Sequence, residues 1–175
     1  ATFTILSILV LALIIGMKLL NDYIERKRKI ADGTTPVIVI APNRKALDAL
    51  YELEKEKLWQ SGEVKEYYFR ITSILREYIE GTFNVDAVEM VTEDIFEELE
   101  KTNKCEVSTM TMANGIFVLS DLVKFAKYQP EMNENVDVMK NAYTFINESY
   151  KYAMEIKRQE ELQKEKQDEI GGQNV

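Results

Sequence analysis

Apolar positions fall into two regimes along this chain: one nearly unbroken run at the start, then a series of runs stepped by three and four. From Phe3 to Met17 only Thr4, Ser7 and Gly16 interrupt the apolar residues. With Ala1, Thr2 and Lys18–Leu20 the run reaches about 20 residues, the length that crosses a roughly 30 Å hydrocarbon layer. A secretory signal peptide would carry its basic residues ahead of the apolar core, and here they all lie behind it. A buried core helix would show a polar stripe, which is missing. Residues 1–20 are therefore expected to form a transmembrane helix, with Lys18 reaching back to the headgroups.

Arg26-Lys27-Arg28-Lys29 follows directly. Clustered Lys and Arg beside a span stay on the cytoplasmic side, so the N-terminus is expected outside and the rest in the cytoplasm, at the inner membrane. Lys18, Arg26, Lys27, Arg28 and Lys29 are the candidates for contact with anionic lipid headgroups. Residues 21–41 read as a basic juxtamembrane segment and linker. Within it Pro36-Val37-Ile38-Val39-Ile40-Ala41-Pro42 is extended and apolar, and reads as a strand docking against the following domain or, second to that, as a membrane-surface segment.

The stepped pattern then runs over residues 42–155. Asn43 is placed as the N-cap of a helix to about Gln60, with Leu47, Leu50, Leu53 and Leu58 inward and Ser61-Gly62 ending it. Val64, Tyr67/Tyr68, Ile71, Ile74/Leu75 and Tyr78/Ile79 give the clearest helical spacing, with Gly81 as the stop. Phe83, Val85 and Val88 form an irregular apolar connection. Thr92 is placed as the cap of a short helix carrying Ile95, Phe96 and Leu99. A longer helix is expected from about Val107 to Tyr128, punctuated by Pro130. The last begins near Asn133–Asn135 and presents Val136, Met139, Tyr143, Ile146, Tyr150 and Ala153. Residues 156–175 read as a charged helical extension and flexible tail. The fold class is all-α: one N-terminal transmembrane helix followed by a small cytoplasmic bundle of about five helices.

Charge sharpens this division. The formal net charge of the 175-residue chain is −8, yet residues 1–29 carry +3, leaving −11 on the rest. Such a body repels nucleic-acid phosphates, and no basic patch outside the juxtamembrane run offsets that, so nucleic-acid binding is not expected. The absence of histidine removes Ser-His-Asp, Cys-His and histidine-metal chemistry, and a single cysteine removes an internal disulfide and a cysteine zinc site. No phosphate-binding or dinucleotide glycine pattern occurs. Catalytic, cofactor and metal residues are accordingly expected to be none. Glu97, Glu98 and Glu100 read as a solvated helix face, and Cys105 as a small residue in an inter-helix turn. Asp121 reads as half of a salt bridge to Lys124 or Lys127. Trp59 is expected to seal the corner between two helices; Tyr67, Tyr68, Tyr78, Tyr143 and Tyr150 belong to the core or its edge. Lys124, Lys127 and Tyr128, at a helix end, are the partner-binding candidates.

Two stretches carry a resemblance: residues 54–95, with Lys57-Leu58-Trp59-Gln60, Lys65-Glu66-Tyr67-Tyr68 and Leu75-Arg76-Glu77-Tyr78-Ile79, and residues 119–130, with Asp121-Leu122-Val123-Lys124-Phe125-Ala126-Lys127. They resemble the cytoplasmic domain of membrane proteins encoded in the Bat (aerotolerance-type) operons of Bacteroidetes, over roughly residues 42–150. The resemblance implies a β-sandwich outside the membrane, ahead of the membrane helix, so that Ala1 would follow an outer portion. It implies neighbours of two kinds, a MoxR-type AAA+ ATPase and von Willebrand factor A-domain proteins, and no catalytic residues. The function expected is a non-enzymatic, membrane-anchored adaptor docking such a protein in envelope or stress physiology. The alternative is a structural subunit of a stable membrane complex, held by its membrane helix and C-terminal helix.

Overall fold

The computed structural model describes residues 41–171, with side chains described as far as 167. The expected membrane helix at 1–20, the cluster of Lys18, Arg26, Lys27, Arg28 and Lys29, most of the linker and the end of the tail lie outside the described residues. Five helices make up all the regular structure that is described: α1 Pro42–Glu56, α2 Val64–Phe83, α3 Thr92–Thr102, α4 Val107–Phe125 and α5 Met132–Gly171. None of these five is long and apolar enough to cross a membrane. The all-helical bundle expected of residues 42–155 is what forms.

α2 is the spine of the core. Its steps of three and four put Tyr67, Tyr68, Ile71, Leu75, Tyr78, Ile79 and Phe83 on one buried face. Each such side chain contributes about 1.5–3 kcal/mol when removed from water. α1 covers one flank with Ala46, Leu50 and Leu53. α4 brings Ala113, Ile116, Phe117 and Val123, and α5 brings Val138, Met139, Ala142, Phe145 and Ile146. Tyr78 couples the spine to α5: its hydroxyl donates to the Ile146 carbonyl at 3.1 Å and lies 2.8 Å from the Ser149 hydroxyl. Its ring meets Phe145 edge-on at 5.7 Å.

Helix ends depart from the sequence pattern, each for a local reason. Asn43 is inside α1, not its cap; Pro42 opens the helix because its missing N–H is one that the first turn leaves unpaired. α1 also stops earlier, at Glu56, where Lys57 turns left-handed (φ 52°). Gly81 does not end α2, which runs to Phe83 and closes on left-handed Asn84. Glycine at 81 serves close approach instead, since a Cβ there would sit 3.2 Å from the Pro42 ring. Thr92 is the first residue of α3, not its cap, and its hydroxyl goes to Asp121. α4 ends at Phe125, short of Tyr128, and α5 starts at Met132. In α5 the inward line begins at Asn135, while Val136 faces solvent.

Candidate functional site

A groove of about 530 Å³ opens where the end of α1 and the turn after it meet α5. The turn is built tightly. Lys57 and Gly62 both have positive φ, the Glu63 amide donates to the Leu58 carbonyl at 2.8 Å, and the Ser61 hydroxyl donates to the same carbonyl at 2.9 Å. Arg70 of α2 pairs with Glu56, the last residue of α1. This frame holds Leu58 and Trp59 half-buried against the core, where both line the groove. Trp59 thus occupies the helix corner as expected, and it also presents a wall to the opening.

Opposite Trp59 stands α5, with Met139 and Tyr143 facing the same space. Beneath, Tyr67 donates a 2.8 Å hydrogen bond to the Asn135 carbonyl. Asn135 is itself buried, its Nδ2 donating to the Glu131 carbonyl at 2.9 Å while its Oδ1 finds no protein partner. Charges rim the opening: Glu54 and Glu148 on one hand, Lys57 and Lys140 on the other. None of the four is in an ion pair among the described residues. Burial and the Glu54 carboxylate push the Tyr143 phenol up to about 12 and raise Tyr67 as well. Both phenols therefore stay protonated at neutral pH and act as hydrogen-bond donors. The groove sets aromatic and apolar side chains beside buried Asn135 within a charged rim, and Trp, Tyr and Met are enriched at protein-docking surfaces.

Lys124, Lys127 and Tyr128 share one connection but do different things. Lys124 is largely withdrawn, with 12% of its side chain exposed and its ammonium 3.0 Å from Asp121 Oδ1. Asp121 also accepts the Thr92 hydroxyl at 2.8 Å, so the expected salt bridge is part of a clasp between α3 and α4. Arg76 of α2 completes this corner by donating to the carbonyls of Ala87 and Met90 and lying 5.3 Å over the Phe117 ring. Burial lowers the Arg76 pKa, and Asp121 partly offsets that. Lys127, left-handed at φ 57°, faces solvent just past α4. Tyr128 donates to the Glu134 carboxylate at 3.0 Å, and that carboxylate also accepts the Glu131 amide at 2.7 Å.

Arg76 was legible only as part of a motif, and its role needed the fold: a cation on an otherwise inward helix face satisfies the carbonyls of an irregular loop. Cys105 is buried, and burial pushes its thiol up to about 12, in keeping with a packing role. Glu97 and Glu100 are exposed, as expected of a solvated face, and the described residues hold no group of carboxylates arranged to take a metal ion. Comparison with protein-family models, curated proteins and solved structures finds no match to the chain.

Proposed function

We propose that this chain is a non-enzymatic, membrane-anchored adaptor whose helical domain docks a protein partner in the Trp59 groove. The observation that carries the reading is the groove itself: Trp59, Tyr143 and Met139 beside Tyr67 and Asn135, inside a rim of charges of both signs that form no ion pair among the described residues. Aromatic anchors in a desolvated pocket supply affinity, and rim charges select the partner. The resemblance in Lys57-Leu58-Trp59-Gln60, together with Tyr67 of the second motif, falls on this same groove, and it supplies the partner proposed: a MoxR-type AAA+ ATPase or a von Willebrand factor A-domain protein. The proposed anchoring is supported by the apolar run at 3–20, and the proposed cytoplasmic position of the domain by the basic cluster at 26–29. Affinity capture from solubilised native membranes tests this. The intact chain should retain such a partner, and Trp59→Ala should lower its recovery about thirtyfold, the effect of losing roughly 2 kcal/mol at an anchor. Equal recovery by both would remove the groove from the account.

A second reading, a structural subunit of a stable membrane assembly, is favoured by one feature. Beyond Ala153, α5 continues with no buried side chain through residue 167. A helix that runs on beyond its own core offers a surface on which a neighbour can pack. A complex that survives mild detergent and dissociates when residues 159–175 are removed would favour that reading over transient docking.

A further inference from the structure

We propose that two copies of this chain pair through α4, antiparallel about a two-fold axis near Val118. This does not depend on the groove at Trp59, which lies on other elements. α4 presents Thr111, Asn114, Gly115, Val118, Leu122 and Phe125 to solvent. At about 100° per residue these six occupy an arc of roughly 100°, one continuous stripe. No residue of it is charged, on a chain of net charge −8. The one ion pair of α4, Asp121–Lys124, lies beside it.

The stripe is uneven in a way that matches itself. Its C-terminal half protrudes: Phe125 is 79% exposed and Leu122 is 44% exposed. Its N-terminal half is low around Gly115, although Val107 at the start of the helix is 68% exposed. A Cβ at Gly115 would meet nothing within 4 Å. Two depressions flank that point, about 380 Å³ on the α3 side beside Phe96 and Met110, and about 320 Å³ on the α5 side beside Met112 and Val138. In an antiparallel pair crossing at Val118, Leu122 comes opposite Asn114 of the second copy, and Phe125 opposite Thr111. Each copy's knobs then meet the other's hollow, as an isologous contact requires.

Charge agrees with the same register. Lys127 lies just beyond the knobs, and Glu97 and Glu100 rim the α3-side depression. None of the three is in an ion pair among the described residues. The two-fold brings Lys127 of each copy to the level of Glu97 and Glu100 of the other, twice over. A parallel pair would set like ends together and leave both hollows empty.

The test is site-directed crosslinking of the full chain in mild detergent, with Val118→Cys and a short bismaleimide. Cys105 is buried and Glu52→Cys, on the exposed face of α1, is the control. The expected result is about tenfold more crosslinked dimer for Val118→Cys than for the control. Leu122→Glu in the Val118→Cys chain should return it to the control level, with an unchanged helical circular-dichroism spectrum because Leu122 is outside the core. Lys127→Glu should weaken crosslinking, and adding Glu97→Lys and Glu100→Lys should restore it. Dimer no greater than the control, dimer indifferent to Leu122→Glu, or capture of a different protein at position 118 would each overturn the proposal.

Discussion

Tyr67 donates its hydroxyl to the backbone carbonyl of Asn135 across 2.8 Å, joining residues 68 positions apart beneath the Trp59 groove. The bond is buried and lies where α2 meets the first turn of α5. It fixes how far α5 stands from the turn that carries Trp59, and so the width of the groove. Tyr67→Phe keeps the ring and deletes the bond. We expect a loss of about 1–1.5 kcal/mol, read from urea unfolding, with the slope of the transition unchanged. A change below a few tenths would mean that water replaces the hydroxyl and that the bond does not set the groove.

Arg76 holds the connection between α2 and α3 through the carbonyls of Ala87 and Met90. Arg76→Met retains much of the stem over Phe117 and removes both charged hydrogen bonds. The expected cost is roughly 2–3 kcal/mol, with faster amide exchange confined to residues 84–91. Arg76→Lys should recover only part, because a single ammonium does not reproduce the guanidinium fork. Exchange that rises evenly over the whole domain would contradict a local role.

Alkali should destabilise the domain through the buried thiol and phenols of its core. Burial raises Cys105 from its ordinary value of 9.0 to about 12, and Tyr143 rises from 10.0 to about 12. A raised folded pKa means that the folded state holds its proton more tightly than the unfolded chain does. The stabilisation is therefore complete below about pH 9 and is lost as pH rises from 9 to 12. Unfolding free energy measured from pH 7 to 11 should be level to about 9 and then fall. Cys105→Ala should soften the onset of the fall near pH 9, where the tyrosines of the unfolded chain are still mostly protonated. Native Cys105 should resist iodoacetamide at pH 8 and react on unfolding; equal rates in both states would contradict its burial.

The outer part of α5 should be dispensable for folding. Every side chain from 159 to 167 is exposed. Ending the chain after Arg158 should change unfolding free energy by less than about 0.5 kcal/mol. A larger loss would show that the extension packs on something within the same chain.

The fold was legible where a helix buries one clean face. Tyr67/Tyr68, Ile71, Leu75 and Tyr78/Ile79 announce α2 by spacing alone, and all of them are buried. Spacing failed where tertiary partners overrule local chemistry. Gly81 looks like a stop but is there to let Pro42 approach, and Thr92 looks like a cap but spends its hydroxyl on Asp121. In α5, apolar Val136 lies outside while polar Asn135 is buried, because Asn135 bonds to the Glu131 carbonyl and receives Tyr67. The groove was half visible. Trp59 stood out by type and place, but its opposing wall of Met139 and Tyr143 comes from a helix some 80 positions further on. Of the partner-binding candidates, Lys124 proved to be tied to Asp121. The most exposed apolar residue of that region, Phe125, stands off the line of Ala113, Ile116 and Val123, on the far side of α4 from the core.

The most direct test of the docking account places a photo-crosslinking amino acid at Lys140, on the rim of the groove, in the full chain within native membranes. The account predicts one discrete adduct with a different protein, abolished by Trp59→Ala and absent when the crosslinker stands at the exposed Lys151 instead. An adduct that survives Trp59→Ala, or none above the Lys151 control, would contradict it.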